Sequence, residues 1–137
     1  LPYRVPAVPV PGAASGAGPA AAEAAVGALG TPVAPGGDDP DQGLDAGGLV
    51  RWAYGLQGVA VPRRPAALAR AGMAVAPREL RAGDVVLLAG ADGAVAHAGL
   101  YLGGGQFVHA PSEGGAVMLS SLYEPAFAAA YAGARRY

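Results

Sequence analysis

The chain has 137 residues, enough for one domain and short for two compact ones. A net charge of −1 with only 14% charged residues excludes a basic nucleic-acid binder and a charged disordered tail. No run approaches 18 strongly apolar residues, so no membrane-spanning helix is expected, and the absence of cysteine removes disulfides and thiol nucleophiles together. The 23 glycines and 13 prolines approach the range of low-complexity disorder, but 53% apolar residues favour a turn-dense folded domain.

Residues 1–19, rich in Pro, Ala and Gly, read as an arm or linker, with Tyr3, Val5 and Val8 as anchors if it lies across the domain. A chain opening on Leu1 is expected to be processed from a longer one, with any leader outside view. The domain itself is expected over 20–137. Residues 20–29 (AAAEAAVGAL) predict a helix that Gly30 and Pro32 end. The turn-dense stretch 31–43 is a loop. A second helix begins near Asp45, which stands at an N-cap position, and runs through LVRWAYGL. A third, shorter helix covers 65–72. From Leu80 the pattern changes to short β-prone runs at 84–89, 94–102, 106–110 and 115–119, separated by turns such as GADG and GGG. The tail, EPAFAAAYAGARRY, reads as one more short helix or extended piece. Helices followed by an antiparallel meander define an α+β domain.

His97 and His109 are the only histidines, twelve residues apart across a Gly-rich turn, so a hairpin can set them on neighbouring strands. Taken alone, each is more often an ordinary strand histidine than a base. The segment Asp45-Ala46-Gly47-Gly48 opens a helix, a natural place for an anion or an activated nucleophile, yet past Asp45 its side chains are too small for chemistry. Asp45, His97 and His109 would form a two-His, one-carboxylate metal set if they converged. No metal and no cofactor is expected.

The order GTP-x-x-x-GG (30–37), GLDAGGLVRWAY (43–54), VPRR (61–64), LRAGDVV (80–86) and HAGLYLGGGQFVHAP (97–111) resembles the NlpC/p60 cell-wall peptidases. The resemblance covers roughly residues 20–137. It implies a papain-like α+β fold, with N-terminal helices packed on a small antiparallel sheet. It also implies an origin in hydrolysis of the peptide bond between D-γ-glutamyl and diaminopimelate residues of peptidoglycan stems.

In the family's D-C-S-G motif the cysteine opens the helix and a histidine draws off its proton. By resemblance, Ala46 holds the cysteine position, Gly47 the serine position, His97 the base and His109 the group that orients it. Losing the nucleophile of such a unit costs on the order of a millionfold in rate. The chain is therefore expected to be no enzyme: a secreted, monomeric domain of the cell wall or envelope space, binding peptidoglycan or muropeptides without cutting them. The alternatives are a Cys-to-Ala mutant of a working endopeptidase and a protein-interaction or adhesion module.

The expected binding residues are Val33, Asp45, Gly47, Gly48, Arg63, His97 and His109. By resemblance Asp45 would face the amino group at the stem peptide's N-terminal end; its plainer role is the helix N-cap. Arg63 and Arg64 border the family's cleft and would pair with stem carboxylates, unless they are a solvated surface pair. Val33, where the family commonly has tyrosine, and Ala46 make the cleft floor smaller and less polar.

Overall fold

The computed structural model describes residues 14–112 and 114–137. The expected anchors Tyr3, Val5 and Val8, and most of the expected arm, lie outside the described residues. Helix α1 (Gly18–Gly27) starts two residues earlier than expected, because Pro19 fits its first turn, where no intrahelical N–H bond is lost. Ser15 is tied to the other end of the fold: its N–H and hydroxyl both donate to the Tyr137 backbone oxygen, at 2.7 and 2.8 Å.

The loop after α1 carries a short antiparallel pair, β1 (Asp38–Asp39) and β2 (Gly43–Leu44), that the sequence did not suggest. Helix α2 (Ala46–Gly55) follows directly, where it was expected. The third helix is shorter than expected: α3 (Pro65–Leu68) ends early, and Gly72, at φ +69°, turns the chain into β3 (Met73–Ala74). A 3₁₀ turn (Pro77–Glu79) leads to β4 (Val85–Ala89), β5 (Val95–Gly103), β6 (Gln106–His109) and β7 (Met118–Ser121). The tail supplies both elements expected as alternatives, α4 (Pro125–Ala130) and β8 (Tyr131–Arg136).

The six-stranded sheet is antiparallel throughout, in the order β3-β8-β4-β5-β6-β7. Strands β4 to β7 are the expected meander, and β8 inserts between β3 and β4. Alternation along the strands sends two sets of side chains to two faces. Val85, Leu87, Ala98, Leu100 and Val108 join the Leu49, Val50, Ala53 and Tyr54 stripe of α2 and the Ala21 and Ala25 face of α1 in one core. Val86, Leu88, Tyr101 and Phe107 form a second core, closed by Phe127 of α4. Full burial of each large side chain here stabilises the fold by about 1.5–3 kcal/mol.

The LRAGDVV segment serves this frame. Gly83 (φ +92°) runs so close to Gly18 that a Cβ there would overlap the Gly18 backbone, which seats α1 against the start of β4. Tyr54 donates its hydroxyl to the Gly83 carbonyl at 2.6 Å, joining α2 to the same point. Asp84, 1% exposed, accepts two bonds from Arg136 at 2.8 Å and clamps β4 to β8.

Candidate functional site

Asp45 holds the entrance of α2. Its backbone is extended (φ −103°, ψ −177°), which frees the side chain to turn back over the first helical turn. Oδ1 accepts the Gly48 N–H at 2.8 Å and Arg63 Nη1 at 2.7 Å, while Oδ2 accepts the Gly36 N–H at 2.8 Å and Arg63 Nη2 at 2.9 Å. Burial alone would raise this carboxyl's pKa. The Arg63 guanidinium and the two N–H donors outweigh that and hold it below the usual carboxylate value. The same bonds raise the pKa of Arg63.

In this geometry Arg63 is bonded to Asp45, and Asp45 is both the N-cap of α2 and the partner of Arg63, while both line the cleft. Arg64 is the cation left over: it is exposed, lines the cleft and makes no ion pair among the described residues.

Gly47 and Gly48 wedge the helix start between two backbone segments. A Cβ on Gly47 would overlap the Arg63 carbonyl, and one on Gly48 would overlap the Gly37 carbonyl. Both are therefore packing positions, and Gly48 does not reach the cleft.

The hairpin expectation brings the histidines together. Gly99 pairs with His109 by extension of the β5–β6 register, so the two imidazoles are diagonal neighbours on one face. His97 Nε2 and His109 Nδ1 lie 2.8 Å apart, and His109 Nε2 lies 2.8 Å from Ser120 Oγ on β7. Phe107 stacks on the His109 ring at 4.7 Å, and Phe127 meets it edge-on at 5.4 Å. Burial lowers the pKa of both histidines, and with His97 beside it His109 falls to about 4. Two neutral imidazoles and a hydroxyl thus form one hydrogen-bonded row. His97 Nδ1, at its end, is buried without a partner among the described residues.

His97 and the α2 entrance meet in an open cleft of about 450 Å³, which Val33, Asp45, Ala46, Gly47, Arg63 and His97 all line. His109 stands behind His97 rather than in the cleft. Pro111 and Ser112, just past the second histidine, form a further part of the wall. Asp45 is committed to Arg63 and the histidines to each other, so the three do not converge as a metal set. No group of three His, Cys, Asp or Glu side chains suited to a metal occurs among the described residues.

The match to known proteins follows these features. Residues 30–136 fit the model of the NlpC/P60 family, and the chain belongs to that family. It is 38% identical over 115 residues to the "Probable endopeptidase Rv2190c" of Mycobacterium tuberculosis, covering 82% of this chain and 29% of that protein. To the "Gamma-D-glutamyl-L-lysine dipeptidyl-peptidase" of Bacillus cereus it is 34% identical over 97 residues, covering 69% of this chain and 29% of the relative. The chain thus spans less than a third of either relative. Among solved structures, the NlpC/p60 domain of the peptidoglycan hydrolase SagA superposes with a TM-score of 0.74 at 31% identity, over 88% of this chain and 98% of that one.

The mixed helix and antiparallel-sheet architecture agrees with these structures. The expectation that the chain is no enzyme is corrected by the same findings: the relatives carry the names of an endopeptidase, a dipeptidyl-peptidase and a peptidoglycan hydrolase, so the family it joins is one of enzymes.

Ser120 went unnoticed in the sequence. A serine in a β-prone run has no local signature, and only strand pairing brings it to His109.

Proposed function

We propose that this domain binds the stem peptides of peptidoglycan in the cleft between Ala46 and His97, outside the membrane in the cell envelope. The observation that carries the reading is that cleft. A helix entrance and the end of a histidine row line one open groove, in a family whose B. cereus relative is named for a γ-D-glutamyl peptide. No helix among the described residues is long and apolar enough to cross a membrane, in keeping with this location.

The chemistry of the groove suits such a ligand. Stem peptides carry free carboxylates, and Arg64 together with the N-terminal end of α2 gives the groove a positive bias once Arg63 has neutralised Asp45. Val33 and Ala46 leave an apolar floor for aliphatic side chains. The chain has no cysteine, so any hydrolysis must proceed without a thiolate of its own.

The test is cosedimentation with purified peptidoglycan, alongside calorimetry with a γ-D-glutamyl-diaminopimelate muropeptide. The expected result is retention on the wall and an affinity that weakens as salt screens Arg64. No retention and no heat at millimolar muropeptide would overturn the reading. Mass spectrometry of the same samples reads whether the bound peptide is cut.

A further inference from the structure

Four side chains that can carry charge line the cleft: Asp45, Arg63, Arg64 and His97. Asp45 and Arg63 offset each other through bonds of 2.7 and 2.9 Å. Burial lowers the His97 pKa, so its ring adds no charge near neutral pH. The Arg64 guanidinium is left as the uncompensated charge of the wall, exposed and without an ion pair among the described residues.

The backbone fixes the base of that side chain on both sides. The Arg63 carbonyl lies where a Cβ on Gly47 would stand, which holds residues 63–64 against the first turn of α2. The Arg64 carbonyl accepts the Ala67 and Leu68 N–H groups at 3.0 and 2.9 Å, which ties it to α3. Arg64 itself is extended (φ −96°, ψ 142°), and successive side chains of an extended chain leave it on opposite sides. With Arg63 turned to Asp45, Arg64 is the arginine left to meet a ligand.

A guanidinium presents N–H donors in a planar fork that matches the two oxygens of a carboxylate. A carboxamide has nearly the same size and shape, but it carries no charge and turns an NH₂ group toward one arm of the fork. The change from carboxylate to carboxamide therefore removes a charge-assisted bond without altering the fit. A γ-linked glutamyl residue keeps its α-carboxyl beside the chain, and diaminopimelate has a carboxyl at each end. Such a peptide offers several groups on which this difference can be read.

We propose that Arg64 is a specificity-determining residue of the cleft: it selects stem peptides whose carboxyl groups are free over the same peptides carrying carboxamides. The selection rests on the cleft being the stem-peptide site. Arg64 reads the ligand's charge, while Asp45 and Arg63 hold the wall on which it stands.

The experiment is calorimetry of the full chain with three γ-D-glutamyl-diaminopimelate peptides. One has every carboxyl free, one an amidated glutamyl α-carboxyl, and one an amidated carboxyl at the far end of diaminopimelate. The wild type is expected to bind the free peptide about tenfold more tightly than at least one amidated form, which identifies the carboxyl that Arg64 reads. The difference should shrink as salt is raised. Arg64→Gln is expected to bind the free peptide at the weaker level and to lose the preference. Equal wild-type affinity for all three peptides overturns the proposal whatever the variant does, and leaves stem-peptide binding standing. A folded Arg64→Gln chain that keeps the wild-type preference also overturns it. Heat from none of the three peptides fails the cleft reading itself, and the selection falls with it.

Discussion

Asp45 and Arg63 are joined by two parallel hydrogen bonds, 2.7 and 2.9 Å long, across 18 residues of sequence. The pair fixes the loop after α2 against that helix's own entrance, and so sets one wall of the cleft. Each charge offsets the other, which leaves Arg64 and the helix end as the positive features of the cleft.

Asp45→Ala is expected to destabilise the fold by about 2–3 kcal/mol, since it removes an N-cap and a charge-assisted pair together. Arg63→Ala should cost less, because Asp45 keeps the Gly36 and Gly48 N–H bonds. Denaturant unfolding of both single variants and the double variant measures their coupling, expected at about 1 kcal/mol. Additive effects would show that the pair contributes nothing beyond its parts.

Gly47→Ser adds a side chain where the Arg63 carbonyl already lies. The loop at residue 63 must move or the helix start must unwind, at a cost of at least about 1–3 kcal/mol. Thermal unfolding checks this: a midpoint equal to wild type would mean that the two segments are not in contact.

Stability is expected to fall in acid in two stages. The histidines are held neutral, so their folded pKa lies below the usual imidazole value. The stability this brings is present above about pH 6.5 and is lost as pH falls toward the His109 value of about 4. Asp45, with its carboxyl pKa lowered, contributes stability above about pH 3.9 that is lost on further acidification. His109→Phe should shrink the first stage to the His97 part and leave the second, as read by unfolding at a series of pH values.

Ala46→Cys would set a thiol at the first residue of α2, in the cleft that His97 also lines. The helix end favours the thiolate, and His97, which lines the same cleft, is the base available to take its proton. The expected thiol pKa is below the free value of about 8.5. The pH dependence of iodoacetamide alkylation measures it. A value at or above that of a free thiol would separate His97 from position 46.

What could be read before folding followed from how local its causes are. The α2 entrance was legible because an N-cap aspartate and a helical apolar stripe lie within a few residues of one another. The histidine pair was legible because a Gly-rich turn of the right length joins its strands. The Asp45–Arg63 bond was not, since nothing in VPRR distinguishes the arginine that turns inward from the one that stays in solvent. Strand β8 was only half legible: the tail's alanines suggest a helix, and only the open edge of β4 makes YAGARR a strand. Gly47 illustrates a further limit. Read beside its neighbours it is a missing serine, whereas in the fold it is a contact with residue 63.

The most direct test of the cleft as the binding site is an NMR titration of the full chain with a γ-D-glutamyl-diaminopimelate muropeptide, following backbone and histidine ring signals. Saturable shifts should concentrate at Ala46, Gly47, Arg64, His97 and Ser112, which line the cleft, and leave the far face around Phe127 unmoved. Saturable shifts confined to other surfaces, with the His97 ring unperturbed, would contradict the account.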